Sequence, residues 1–315
     1  MTTQETAALL RTYDNVLILT HRRPDGDTIG CASALCIALR QLGRTAYLLY
    51  NRETTEHFLP YAQEFWAPED FSPDHVVSVD IASLSLLPEN AEVYRDRIEL
   101  AIDHHPSFEH FAPQSCVIPE RAACGEILYE IIEQMVSVNP EIALPLYAAV
   151  ATDTGCFVYS NTTANTHRVA AELMDTGIDY RAVNKIHFRT KSRKRLAMEA
   201  HMVDTMETYD EGRLVLMTIP LSLMDEIQAT EGDAEDLSSL AGLVEGNDCA
   251  VTMRELKPDE WKISVRTGAR VNATRVCQLM GGGGHKSAAG CTLSVPLEEA
   301  KRQVLEAYFT VSKQS

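Results

Sequence analysis

The chain has 315 residues, 45% of them apolar, enough for one large or two ordinary domains. Its 28 basic residues stand against 45 acidic ones, a net charge of −17, which argues against a long polynucleotide gripped non-specifically. No stretch is apolar for long enough to span a bilayer, and the opening MTTQETAALLRTYDN lacks the order of an export signal; the eight scattered cysteines are therefore expected as reduced thiols in a cytoplasmic protein.

The first half alternates short apolar runs with helical stretches. Residues 15–20 (NVLILT), 45–50 (TAYLLY), 75–80 (HVVSVD) and 98–103 (IELAID) are expected as buried strands. Between the first two, residues 28–43 carry apolar positions at helical spacing and end on Gly43, a stop signal. Helices are expected near 123–136, 141–151 and 164–176, the last stopped by Gly177. Strand, helix, strand in this order predicts a parallel sheet covered on both faces. The helical stretches at 123–151 fit either a homodimer face or core. Residues 184–207 then read as one long charged helix, within which KIHFRTKSRKR (185–195) holds six Lys/Arg and no acid. That run is either a solvated face or a local site for phosphates.

Beyond it, residues 213–219, 249–256 and 261–267 alternate like strands, and NATRVCQLM (272–280) reads as a helix running into four glycines. Residues 225–236, with six acids and no base, read as solvated surface. The expected fold class is α/β: a parallel-sheet domain over 1–190, a helical connector over 191–208 and a smaller α/β domain over 209–315, with the active site in the cleft between them.

Four places put Asp and His where strands or apolar runs end: His21, Asp25 and Asp27 in LTHRRPDGDTIG, Asp80 closing HVVSVD, Asp103-His104-His105 after LAI, and Asp153 in AAVATDTGCF. In an open parallel sheet, ligands collect beyond the carboxyl ends of the strands, so these places converge if they share one sheet. Singly, each has a structural explanation: Asp25 or Asp27 as a helix cap, His21 as a satisfied core histidine, Asp153 as a turn former. Together, four aspartates and two histidines on neighbouring ends would repel unless cations lay between them. Imidazole and carboxylate without thiolate suit manganese, with magnesium, cobalt or zinc as alternatives, and four ligand aspartates balance two dications. The glycine run in LMGGGGHKSAAG lets backbone N–H groups approach an anion, with His285 and Lys286 beside it and Arg266 near enough in the pattern to join.

HRRPDGD, VSVD, IDHH and ATDTG, followed by GGGGHKSAAG, together resemble the DHH phosphoesterase superfamily with a DHHA1 C-terminal domain, over nearly the whole chain. The two-domain plan is most similar to the nano-RNase/pAp phosphatase group. Exonucleases of the RecJ type share both domains in longer chains. The resemblance implies that His21 and Asp25 hold one metal, that Asp27, His104 and Asp153 hold the other, and that Asp80 bridges both. It implies that Asp103 orients a histidine or a water, that His105 faces the scissile phosphate, and that Gly282, Gly283, Gly284, His285 and Arg266 bind the substrate's phosphate and nucleotide. Asp80 departs from relatives in being followed by IAS, where a Thr and a further Asp or Ser are common. The expected activity is hydrolysis of short RNA or DNA oligonucleotides, or of nucleoside bisphosphates such as 3′-phosphoadenosine 5′-phosphate (pAp). The alternatives are a cyclic-dinucleotide phosphodiesterase, a polyphosphate hydrolase, a RecJ-like single-strand exonuclease, or a non-catalytic nucleotide sensor.

Overall fold

The computed structural model describes residues 1–230, 232–234 and 237–313. The chain divides into two compact units, residues 1–190 and residues 191 onward.

In the first unit the elements run α1 (Thr3–Leu10), β1 (Val16–Leu19), α2 (Gly26–Gln41), β2 (Ala46–Leu48), α3 (Leu59–Ala62), β3 (His75–Val79), β4 (Ile98–Asp103), β5 (Gln114–Val117), α4 (Cys124–Glu133), α5 (Pro140–Asp153), α6 (Ala164–Asp175) and α7 (Tyr180–Asn184). The strands form one parallel sheet in the order β2-β1-β3-β4-β5, with Val16 beside both Ala46 and His75. Because the chain winds outward in both directions from β1 and β3, their carboxyl ends open a crevice between the following loops. On one face Val16, Ile18, Val77, Val79, Leu100 and Ile102 pack into a core with Ile29, Leu35, Ile127, Ile131 and Leu146 of the helices. The other face differs from a doubly wound plan. Leu17, Leu19, Val76 and Ile98 are covered by Ile81, Leu87 and Ala91 from loops and 3₁₀ turns. The 123–151 segment contributes to the core, with Ile127, Leu128, Ile131, Ile132 and Ile142 fully buried.

The expected single helix over 184–207 is broken. A π-helical turn at Lys185–Arg189 follows α7, and the chain leaves the helix before Ser192 caps a new one, α8 (Arg193–Asp204). Ser192 Oγ accepts from the Arg195 N–H (3.0 Å), so the chain starts a fresh helix there.

The second unit continues with β6 (Glu207–Tyr209), β7 (Leu214–Ile219), α9 (Leu221–Glu226), β8 (Cys249–Lys257), β9 (Glu260–Thr267), α10 (Ala273–Gln278), β10 (Gly283–Gly284), β11 (Ala288–Ser294) and α11 (Leu297–Ser312). Its sheet, in the order β10-β11-β9-β8-β7-β6, is antiparallel except for β7 beside β8. Val276, Val304 and Tyr308 cover one face, and Met198, Met202 and Met224 cover the other, so α8 is part of this unit's core. Of the acidic stretch 225–236, Asp225 and Glu226 are exposed; Glu231, Glu235 and Asp236 lie outside the described residues. Among the described residues no helix is long and apolar enough to cross a membrane, and all eight cysteines are free.

Candidate active site

The residues between β1 and α2 do two jobs. Asp25 caps α2, its Oδ1 accepting from the N–H groups of Asp27 (3.0 Å) and Thr28 (3.2 Å), yet the same oxygen lies 3.6 Å from His21 Nε2. His21 Nδ1 is 2.8 Å from the Arg22 carbonyl. A carbonyl only accepts, so Nδ1 carries a proton, and Nε2 faces Asp25 and, at 3.7 Å, Asp80 Oδ2, with a lone pair to offer when the ring is neutral. Asp80 reaches that position because it follows β3 in the left-handed region, φ +58°, strain that aspartate tolerates better than most residues.

Asp27, in the first turn of α2, turns its carboxylate to α4. Its carboxylate accepts from the backbone N–H groups of Cys124 (2.7 Å) and Gly125 (2.9 Å), capping α4 from outside; that helix has no side-chain cap of its own. The approach of α2 to α5 depends on Gly26, where a Cβ would run into the Thr152 side chain. His104 repeats the device of His21: Nδ1 donates to the Arg121 carbonyl (3.1 Å) and Nε2 faces three carboxylates. These are Asp27 Oδ2 at 3.8 Å, Asp80 Oδ1 at 3.6 Å and Asp153 Oδ2 at 3.7 Å. Asp103 is fully buried, and its Oδ1 accepts from both the backbone N–H (2.6 Å) and ring Nδ1 (2.9 Å) of His105.

Three groups result, His21–Asp25–Asp80, Asp27–His104–Asp153 and Asp80–His104–His105, each with its ligand atoms within 4.8 Å of one another; Asp80 turns one oxygen to His21 and the other to His104 and, at 3.5 Å, to His105 Nδ1. Their electrostatics show strain. Burial pushes Asp27 and Asp80 far above the ordinary carboxylate range, reinforced by their acidic neighbours, and lifts Asp153 to about 7, with Asp25 adding to the effect. Asp25 is also pushed up by its surroundings, but His21 and two N–H groups outweigh this and hold it low. His105 is raised, first by its bond to Asp103. Asp80 Oδ1 and Asp103 Oδ2 are buried with no hydrogen-bond partner among the described residues. Imidazole lone pairs aimed at crowded carboxylates, beside an orphaned carboxylate oxygen, fit divalent cations, and these clusters could hold them.

The second unit gathers the remaining residues. Arg266 on β9 stands opposite Ala288 of β11, whose N–H donates to the His285 carbonyl, so arginine and glycine turn share one end of the sheet. Gly282 and Gly284 serve the protein's own packing first: a Cβ on either would strike β11, whereas Gly283 faces open space. Three contributors escape sequence reasoning: the Arg121 carbonyl and the N–H groups of Cys124 and Gly125. Their one signal is AACGE, a helix start without a capping side chain.

Residues 15–151 match the model of the DHH family N-terminal domain, and residues 223–312 match the DHHA1 domain. A relative from Thermus thermophilus, named bifunctional oligoribonuclease and PAP phosphatase NrnA, is 33% identical over 93% of this chain and 88% of its own. The chain belongs to the DHH family of phosphoesterases. An exopolyphosphatase-related protein from Bacteroides fragilis shares the fold, with a TM-score of 0.89 at 21% identity over 99% of this chain and 96% of the other. An exonuclease RecJ bound to manganese superposes with a TM-score of 0.50 at 14% identity, over 99% of this chain and 95% of that one.

Proposed function

We propose that this DHH-family enzyme hydrolyses short oligonucleotides, two to five nucleotides long, to mononucleotides, and removes a phosphate from nucleoside 3′,5′-bisphosphates such as pAp. The observation that carries the reading is the pair of triads, His21–Asp25–Asp80 and Asp27–His104–Asp153, with the second oxygen of Asp80 3.6 Å from His104 Nε2, a donor arrangement for two divalent cations, preferably Mn²⁺. The substrate class comes from the relative's name, and the acidic surface agrees with ligands too short to need a long basic track. The eight free thiols suit a reducing cytoplasm.

His21 and Asp25 would hold one ion, Asp27, His104 and Asp153 the other, and Asp80 both. Bound there, divalent cations supply an acidified water and neutralise phosphate charge. With Nδ1 committed to Asp103, His105 keeps Nε2 as its free ring nitrogen, and its raised pKa favours a proton there to donate to a phosphate oxygen. Asp103 fixes that ring and its tautomer. Arg266, His285 and the N–H groups around Gly283 are assigned to the nucleotide's other phosphate.

The test is a time course with Mn²⁺ on pAp, pGpG, a 5-mer RNA, a 24-mer RNA, cyclic-di-AMP and pyrophosphate. Mononucleotides from pGpG and the 5-mer, or phosphate from pAp, with little cleavage of the 24-mer, is the expected result. Preference for the 24-mer would replace the reading with a RecJ-like exonuclease. A linear product from cyclic-di-AMP alone would make the protein a cyclic-dinucleotide phosphodiesterase. Silence on all six with nucleotide binding intact would make it a sensor.

A further inference from the structure

Behind the site lies a carboxylate that this chemistry does not use. Glu126, in the first turn of α4, is fully buried, and no ion pair reaches it among the described residues. Its Oε1 accepts from the Ala122 N–H (3.3 Å) and from Thr166 Oγ1 (2.6 Å); its Oε2 accepts from Asn165 Nδ2 (2.8 Å). Glutamate is almost never fully buried without a structural demand, so this one needs a reason.

The reason is the stretch it anchors. The Arg121 carbonyl takes the Nδ1 proton of His104, and the N–H groups of Cys124 and Gly125 hold Asp27. Between them, Ala122 gives its N–H to Glu126 and accepts at its carbonyl from Asn161 Nδ2 (3.0 Å), and that same nitrogen reaches the Asp153 carbonyl at 3.1 Å. Residues 121–125 therefore touch, or lie one amide from, every member of the Asp27–His104–Asp153 set. Glu126 ties this stretch to α6 through Asn165 and Thr166. The other set is held mainly elsewhere: among the described residues His21 is fixed by the Arg22 carbonyl and Asp25 by the N–H groups of Asp27 and Thr28 at the start of α2.

We propose that Glu126 is a positioning residue that sets the affinity of the Asp27–His104–Asp153 set for its divalent cation, without touching the ion and without affecting the other set. The inference rests on the two-ion reading above. Three donors converge on two oxygens, a demand that a carboxylate meets in full. Glutamine meets most of it, since the Asn165 amide can turn its oxygen toward the new NH₂. Alanine leaves the buried Ala122 N–H without an acceptor, removes the Asn165 amide's partner, and leaves the Thr166 hydroxyl with Thr163 alone.

The experiment is Mn²⁺ titration by calorimetry of the wild type, Glu126→Ala and Glu126→Gln, each repeated in a His21→Ala background where the assembled set holds the remaining ion. The wild type should take up two ions. Glu126→Ala should keep one at wild-type affinity and bind the other about 10–100-fold more weakly, the range for supports one step removed from a metal. Glu126→Gln should fall between them. In the His21→Ala background the single remaining ion should show the same loss. If Glu126→Ala lacks a cooperative thermal transition, Glu126→Gln and Thr166→Val carry the measurement, and wild-type affinity at both sites in both variants overturns the proposal. Equal weakening of both sites overturns it too. A wild type that binds no pair of ions overturns the two-ion reading and this inference together; two ions in the wild type, with both retained at wild-type affinity in Glu126→Ala, overturn this inference alone.

Discussion

His21 and Asp25 sit four residues apart on one turn and need only the end of β3 to complete their triad, whereas Asp27, His104 and Asp153 arrive from α2, the end of β4 and the end of α5. The two sets also differ in charge. In the first, His21 is raised and Asp25 lowered, because their mutual attraction outweighs burial, and the pair supplies its own opposite charges. In the second, burial and like-charge neighbours lower His104 and raise Asp27 and Asp153, so without a cation the set drifts toward neutrality. One set is partly self-neutralised; the other depends on what binds to it and on the backbone that holds it.

Asp80 is where the comparison can be broken most severely, since one oxygen faces each histidine. Asp80→Asn keeps a residue that accepts φ +58° but removes the shared charge. It should lower turnover of a dinucleotide by about a thousandfold or more, about 4 kcal/mol, while weakening both ions. Loss of only one ion would show that Asp80 belongs to a single set.

The same asymmetry governs what the sequence discloses. HRRPDGD is contiguous, and its position after an apolar strand with a helix following is readable from periodicity, as are β1, β3, β4 and the helices at 124–133, 140–153 and 164–175. The second set is readable only as separate acids and histidines. Its supports are backbone atoms, the Arg121 carbonyl and two N–H groups, which no side-chain pattern encodes. The broken helix near 190–192 was hidden because Lys and Arg are good helix formers; the stop comes from Ser192 capping a new helix. β5 and β11 are weak in sequence because Gln114–Val117 is short and Ala288–Ser294 is built from small residues whose burial comes from the neighbouring strand.

Acidity sharpens the contrast. Asp153 titrates at about 7 in the folded protein, against 3.8 ordinarily. Between those values the folded chain keeps a proton that the unfolded chain has lost. The stability it contributes is therefore full below about 4 and gone as pH rises through 7. Asp27 and Asp80 are shifted in the same direction. Metal-free protein should accordingly show a lower urea midpoint at pH 8 than at pH 5. Saturating Mn²⁺ should raise the pH 8 midpoint more than the pH 5 one, because the ion competes with these protons. A metal-free midpoint that rises from pH 5 to pH 8 would contradict the crowding of these carboxylates.

The finest test separates holding an ion from holding the fold. Asp25 needs one oxygen to cap α2, and asparagine caps as well as aspartate, so Asp25→Asn should shift metal-free stability by no more than about 0.5 kcal/mol. Its ion should nevertheless bind more weakly, because the lost charge is the one facing His21. Asp25→Ala should cost about 1 kcal/mol in addition, the ordinary value of a cap. Asp27 uses both oxygens, one on each N–H at the start of α4. Asp27→Asn must therefore set an NH₂ against a buried N–H, at a cost of about 1–3 kcal/mol even before metal is added. Urea midpoints of the three metal-free variants at pH 7 decide the matter. If Asp25→Asn were as destabilising as Asp27→Asn, the first set would be as dependent on the fold as the second, and the distinction between a local and an assembled site would fail.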